Sequence, residues 1–283
     1  MKEYQTYCDP GVLSKEMRIQ TEKHVNLRVI HFSPPEKTVY PPVIMVVGLG
    51  TFIQSFKGIV SGMTRYFELY YVETREKVSS ELSGPVDFDI QTVSKDIINI
   101  VHALLPGQND YILFGYSYGA TVLTESYPHL NRKPSALLLL SPTPHFYYPK
   151  WSLPLIKRAP SFFPVIKFVA KWYLRNFVIN QKEDKDMYGY TSHALDHCDP
   201  HKLSRSILGA AGYSVWDKLH YIDCSTLIVD TSKDGIHRHE DTLRLVSGIR
   251  NSTYVDLEVN KRTHGEELAE VIRSYLANRE KEC

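Results

Sequence analysis

Tyr111-Ile-Leu-Phe-Gly-Tyr-Ser-Tyr-Gly-Ala-Thr-Val-Leu123 is the stretch whose reading decides the fold. Its opening, Tyr111 to Phe114, has the length and apolar character of a buried parallel strand. Gly115-Tyr116-Ser117-Tyr118-Gly119 follows, and then Ala120, Val122 and Leu123, which suit a helix. A Ser with Gly two residues away on each side fits a strand-to-helix turn tight enough to strain the Ser backbone. Gly leaves room for the neighbouring backbone there, and the turn lifts Ser117 Oγ above the sheet. A helix that starts at this point aims its N-terminal N–H groups and dipole at any negative charge beside the serine. The plainer alternative, a Gly-rich loop with a passing Ser, is disfavoured by the strand before it and the helix after it.

Outward from this turn the chain alternates between the two periods. Upstream, residues 17–32 read as two strands joined near Glu22–His24. The second, with Val25, Leu27, Val29 and Phe32, alternates as a half-exposed edge strand would. Val43 to Val47 is a buried strand running into Gly48-Leu49-Gly50-Thr51, residues 52–63 suit a helix, and Phe67–Val72 a further strand. Val93, Ile97, Ile100, Val101 and Leu104 mark an amphipathic helix. Downstream, Ala136–Leu140 and Thr226–Val229 read as buried strands and Thr253–Val259 as another. A helix falls around 239–250, and a final one carries Leu268, Val271, Ile272, Tyr275 and Leu276 on one face. This alternation predicts an α/β fold with a mostly parallel central sheet flanked by helices. The pattern breaks between about 145 and 215, where Pro and aromatics abound and no strand is evident. A helical insertion at that point of an α/β sheet sits over the C-terminal strand ends, where ligands bind. We therefore expect a body of 1–144 and 215–283 and a helical cap of 145–214.

The 283 residues are enough for a large core, and 43% apolar and 23% charged residues are ordinary for a soluble domain. A net charge of +1 gives no global reason to expect nucleic acid. No apolar run approaches a membrane span, and MKEYQTYCDP lacks a signal-like apolar stretch. Cys8, Cys198, Cys224 and Cys283 are scattered, which reads as reduced thiols in a cytoplasmic protein.

A serine hydroxyl is a weak nucleophile that needs a base, and the base needs an orienting carboxylate. Twelve histidines do not choose among themselves by number, but position does. The strand Thr226–Val229 leads through a short polar loop to Asp234-Gly235. The strand ending at Val259 leads to His264-Gly265, just before the last helix. Both loops leave the sheet on the edge that carries Ser117 if the strands are parallel, and the chain order is Ser117, Asp234, His264. Asp230, at the strand end, is the alternative acid. His237 and His239 lie close to Asp234 in sequence, in a stretch that reads as the opening of the next helix. His264 could instead cap the final helix.

With those residues in place, the chain resembles the α/β-hydrolase superfamily over about 17–144 and 215–283. The resemblance implies Ser117 as nucleophile, His264 as general base and then acid, Asp234 as the residue that orients it, and Gly115 and Gly119 as the glycines of the turn. It also implies an oxyanion hole from the backbone N–H groups of Leu49 and Tyr118. The resemblance does not choose the reaction: we expect hydrolysis of an ester or thioester without a cofactor or metal, with acyl transfer, C–C cleavage or amide hydrolysis on the same residues, or a ligand-binding protein of this fold, as the alternatives. Many relatives begin the oxyanion loop with His-Gly where this chain has Val47-Gly48; Thr51 and Gln54 are polar side chains at hand to hold it.

The expected cap has a composition of its own. From Ser141 to Lys182 there is no Asp or Glu, while Lys150, Lys157, Arg158, Lys167, Lys171, Arg175 and Lys182 alternate with aromatics. One reading is a packed cap with solvated lysines. Another is an apolar acyl channel with a basic rim, suited to an acyl substrate on an anionic carrier. An anionic membrane surface is a further variant. His193 and His197 share a helical face at metal-ligand spacing, but no Glu lies between them as a metalloprotease helix requires, and a polar helix is the expectation.

Overall fold

A computed structural model describes residues 4–108, 110–178, 185–233 and 237–282. The chain opens with a hairpin, β1 (Leu13–Glu22) and β2 (Val25–Ser33). There follow β3 (Val43–Val46), α1 (Lys57–Thr64), β4 (Leu69–Val72), β5 (Glu81–Leu82), α2 (Ile90–Leu104), β6 (Ile112–Tyr116), α3 (Tyr118–Ser126) and β7 (Ala136–Leu140). Next come α4 (Leu153–Arg158), α5 (Phe163–Tyr173), α6 (Lys185–His197) and α7 (Pro200–Ala210). The chain ends with β8 (Ser225–Asp230), α8 (His239–Gly248), β9 (Ser252–Asp256), α9 (Asn260–Thr263) and α10 (Glu266–Glu282).

The strands form a sheet in the order β1-β2-β4-β3-β6-β7-β8-β9, with the two-residue β5 also paired to β2. From β4 to β9 every neighbouring pair is parallel, and the antiparallel pairs are those that β2 makes with β1, β4 and β5. The expected mostly parallel sheet is therefore present. One detail differs: β2 is an interior strand, and the edge is β1. The alternation in β2 comes from residues such as Asn26 and Arg28 that are only half-buried, while Val25, Leu27, Val29 and Phe32 are fully covered.

Alternation across the pleat splits the interior into two layers. Ile44, Val46 and Leu113 face a layer with α2, α3 and α8; Val43, Met45 and Phe114 face one with α1 and α10. The helix α2 starts where it does because Asp89 accepts the Thr92 N–H at 2.9 Å, a standard N-cap. The 145–214 segment leaves and rejoins the body through an antiparallel bridge between His145 and Ser214. Phe146 N–H donates to Tyr213 O at 3.0 Å, and Val215 N–H to Pro144 O at 2.9 Å, so its two ends are clamped side by side.

Near the hairpin lies an ion pair without solvent access. Arg75 and Asp96 side chains are both 0% exposed; Arg75 Nη2 donates to Asp96 Oδ1 at 2.8 Å and Arg75 Nη1 to the Asp87 carbonyl at 2.8 Å. Thr21 of β1 adds a hydrogen bond to the same carboxylate at 2.5 Å, so one buried charge ties together the edge strand, the β4 exit and α2. Removing one partner leaves the other charged and dry, whereas removing both is close to neutral. Arg75→Met should therefore lower the urea unfolding free energy by about 3–5 kcal/mol, with Arg75→Met/Asp96→Leu recovering most of it. Equal losses in the single and double variants would show that the pair does not hold this corner.

Candidate active site

Ser117 sits between the last residue of β6 and the first of α3 with φ 52° and ψ −113°, a left-handed backbone that L residues avoid. The neighbouring glycines explain how the turn closes. A Cβ on Gly115 would lie 2.6 Å from Ala120 Cα, and one on Gly119 would lie 2.1 Å from the Val46 carbonyl oxygen. The helix can begin this close to β3 and β6 only because neither residue has a side chain. The turn is tied down by the Ser117 N–H, which donates to Leu140 O of β7 at 3.0 Å.

Ser117 Oγ enters a cavity of about 420 Å³. Its walls come from the Gly48–Thr51 loop, from Tyr116 and Tyr118, from Phe146 and Tyr148 where the 145–214 segment begins, and from Tyr190 of α6. The hydroxyl lies within hydrogen-bond distance of His237 Nε2, at 2.9 Å, and of Thr143 Oγ1, at 3.1 Å. His264 lines the same cavity. Its ring stacks on Phe56 at 5.7 Å and meets the edge of Tyr116 at 5.4 Å. His264 Nδ1 lies 3.0 Å from the Asn260 carbonyl; a proton on Nδ1 directed there makes Nε2 the basic nitrogen. Gly58 lets α1 pack directly on this residue, since a Cβ there would be 2.3 Å from the His264 carbonyl oxygen.

Asp234 lies outside the described residues. Asp230, the alternative acid, is buried at the end of β8 and is engaged by other groups. It faces His239 Nδ1 at 2.6 Å, Tyr254 Oη at 3.3 Å, Thr242 Oγ1 at 3.3 Å and its neighbour Thr231 N–H at 2.8 Å. In the sequence His237 falls in a stretch that reads as the start of a helix. The helix α8 begins two residues later, at His239, which leaves His237 on the loop that reaches Ser117. Its position on the loop after β8 was the only signal available.

The Gly48–Thr51 loop is held by a residue that the sequence reading passed over. Lys77, with a side chain only 3% exposed, donates from Nζ to Gly48 O at 2.6 Å and pairs with buried Glu76 at 2.7 Å. Thr51 Oγ1 donates to the same carbonyl at 2.7 Å, so Thr51 does contribute the expected polar contact. A trans peptide points its C=O and the following N–H in opposite directions. Fixing the Gly48 carbonyl on Lys77 and Thr51 therefore turns the Leu49 N–H the other way. Gln54 Oε1 is buried and makes no hydrogen bond among the described residues.

In the 145–214 segment His193 and His197 stack with ring centroids 4.0 Å apart. Among the described residues, no three His, Cys, Asp or Glu side chains are grouped to hold a metal ion. Among the described residues no helix is long and apolar enough to cross a membrane.

The Asp230–His239 pair sets a pH dependence. The hydrogen bond to Asp230 raises the His239 pKa above its ordinary value, against some desolvation. A raised histidine stabilises the fold fully below its unfolded pKa of about 6.5, and the contribution fades as pH rises through the folded value. The stability gap between the native chain and His239→Gln should therefore be larger at about pH 6 than at about pH 9, read as urea midpoints. A gap that stays constant or widens would show that the imidazolium does not contribute. His239 is partly exposed, so the effect is screened and modest.

No family model and no curated protein matches the sequence. Solved structures do match in shape. A thermophilic esterase from Thermogutta terrifontis superposes with a TM-score of 0.75 at 15% identity, covering 93% of this chain and 98% of that one. An enol-lactonase from Burkholderia xenovorans LB400 gives 0.75 at 13% identity over 89% and 97% of the two chains. An esterase from Exiguobacterium antarcticum gives 0.74 at 17% over 93% and 100%. Sheet order, the strained serine turn and these superpositions agree that the chain has the α/β-hydrolase fold.

Proposed function

We propose that the protein is a serine hydrolase that cleaves a carboxylic ester or thioester through an acyl-enzyme intermediate. The observation that carries this reading is Ser117, held at φ 52° with its Oγ in a cavity that His264 also lines. Residue types alone do not choose the reaction on such a fold, because the site rather than the scaffold sets chemistry. An esterase and an enol-lactonase superpose equally well, so the ester class is preferred for the chemistry they share.

In this reading His264 Nε2 takes the Ser117 proton as Oγ attacks the substrate carbonyl, and Asp234 orients the imidazolium. The tetrahedral oxyanion accepts hydrogen bonds from the Leu49 and Tyr118 N–H groups. Tyr118 is the first residue of α3, and an N–H at that position has no acceptor within its own helix. Collapse expels the alcohol or thiol, which takes the proton back from His264. A water then attacks the acyl-enzyme by the same route and frees the carboxylic acid. The apolar walls from Tyr116, Phe146, Tyr148 and Tyr190 suit the acyl part, and 145–214 serves as the cap that closes the cavity from above.

A second reading gives the base to His237, because its Nε2 is the nitrogen bonded to Ser117 Oγ. Single variants separate the two. Ser117→Ala should abolish fluorophosphonate labelling and cut hydrolysis of p-nitrophenyl acyl esters by about 10³-fold or more, with the fold unchanged. His264→Ala should fall within about tenfold of that residual rate, while His237→Ala keeps most of the turnover. Should His237→Ala be the variant that matches Ser117→Ala, the base is His237. Near-normal turnover by Ser117→Ala would reject Ser117 as the nucleophile, and a native chain with neither labelling nor turnover would leave the cavity as that of a binding protein.

The oxyanion loop gives an independent check. Glu76→Gln/Lys77→Met removes the buried charge pair without leaving one charge alone, yet deprives Gly48 O of its ammonium donor. Turnover should drop by about 10- to 100-fold with little change in KM, since one oxyanion donor is misaligned. Unchanged turnover in a folded double variant would remove Leu49 from the mechanism.

A further inference from the structure

Helix α5 is turned inside out. Its better-covered positions are Phe163, Lys167, Ala170 and Lys171, followed just beyond the helix by Leu174; its exposed ones are Pro164, Val165, Ile166, Phe168, Val169, Trp172 and Tyr173. The exposed set recurs at three- and four-residue intervals and so forms a single apolar stripe. Its lysines point the other way: Lys167 Nζ and Lys171 Nζ reach Asp196 of α6 at 3.1 and 2.6 Å. Neither α4 nor α5 has a buried residue. Among the described residues sixteen large apolar side chains are exposed, and eleven of them lie between Tyr147 and Phe177. A concentration of that kind marks an interaction surface, since single exposed apolar residues are normal but a contiguous patch is not.

The charges around the stripe say what it would meet. Lys150, Lys157, Arg158 and Arg175 are exposed at its margins, and no acidic residue occurs from Ser141 to Lys182. A second copy docked on the same face would set these cations against each other, because a two-fold interface brings each patch onto itself. Trp151, Trp172 and Tyr173 are amphipathic rings of the kind that settle at a lipid headgroup boundary. Tyr147 belongs to the exposed set and also lines the Ser117 cavity, so the patch runs up to the cavity mouth.

We infer that the α4–α5 face docks onto an anionic lipid surface, with the apolar stripe in the headgroup boundary and the basic margin on the lipid phosphates. Aromatic insertion and lysine or arginine attraction add in such binding, and the electrostatic part weakens with salt. The face then presents the cavity mouth to the bilayer. The inference concerns binding, and stands or falls apart from the hydrolase reading.

The test is flotation of the full chain with vesicles of phosphatidylcholine, or of equal parts phosphatidylcholine and phosphatidylglycerol. The native chain should float with the mixed vesicles, less as salt is raised, and less on the neutral ones. Phe168→Glu/Trp172→Glu should reduce partitioning on mixed vesicles by about tenfold or more. Both side chains are more than half exposed, so the thermal midpoint should not move. Lys157→Glu/Arg158→Glu should weaken binding to mixed vesicles and leave neutral ones unaffected. Ser117→Ala should bind like the native chain, which keeps loss of hydrolysis and loss of docking distinct. Absence of the native chain from the mixed-vesicle fraction would overturn the inference, as would binding indifferent to both double variants. A native dimer in sedimentation that Phe168→Glu/Trp172→Glu splits into monomers would assign the face to a second copy instead.

Discussion

The site depends on a steric allowance of a few ångströms between β3, β6 and α3. The Val46 carbonyl stands where a Gly119 side chain would begin, and Ala120 stands where a Gly115 side chain would begin. With both spaces left empty, the chain can leave β6 and enter α3 within two residues, and Ser117 takes the left-handed backbone that this requires. Such a conformation persists only where its surroundings over-determine it. Here the parallel register does so: Gly115 is paired with Val46 on one side and Leu139 on the other, and the Ser117 N–H is bonded to Leu140. A one-residue slip of β6 would turn its side chains to the opposite face and break all three relations.

The loop after β3 solves a related problem by different means. Its backbone has to hold one carbonyl away from the cavity, and a buried ammonium does so. Lys77 is costly to bury, and the cost is offset by Glu76 at 2.7 Å and by the Gly48 carbonyl at 2.6 Å. Glu76 itself reaches the Gly50 N–H at 3.4 Å, so the pair grips the loop at two peptides. A charge pair in this position constrains orientation as much as it adds stability, since each partner has few other places to go once dry.

Strands were legible in the sequence where four or more apolar residues run together, as at Val43–Val46 and Ala136–Leu140, because two-sided burial leaves no polar position. The serine turn was legible for a comparable reason: its requirement is local, and Gly-x-Ser-x-Gly states it. What escaped was non-local. Nothing near β2 indicates that β4 will cover its far side, so a half-polar strand was read as an edge. The Lys77–Gly48 contact spans 29 positions and the His237–Ser117 contact 120. Lysines and histidines are plentiful, and only the folded chain selects among them. His264 was easier to find, because it follows the last strand and precedes the last helix, where the topology brings a loop to the serine's edge of the sheet.

Helix α5 marks the limit of pattern reading in a different way. The sequence mixes lysines with aromatics there, which suits a basic rim on an apolar channel. Periodicity states that a helix has two faces; it does not state which one turns inward. In this helix the lysine face is the one toward α6, where Lys167 and Lys171 pair with Asp196, and the apolar stripe lies on the opposite side. Partly exposed ion pairs of this kind contribute too little to set that orientation by themselves. The cations left exposed are those at the ends, Lys157 and Arg158 before the helix and Arg175 after it. An arrangement in which polar residues face protein and apolar ones face outward costs free energy in water alone. It becomes favourable once the outer medium is itself partly apolar and negatively charged, and in such a medium the same lysine–aspartate contacts serve to keep charge out of the boundary layer.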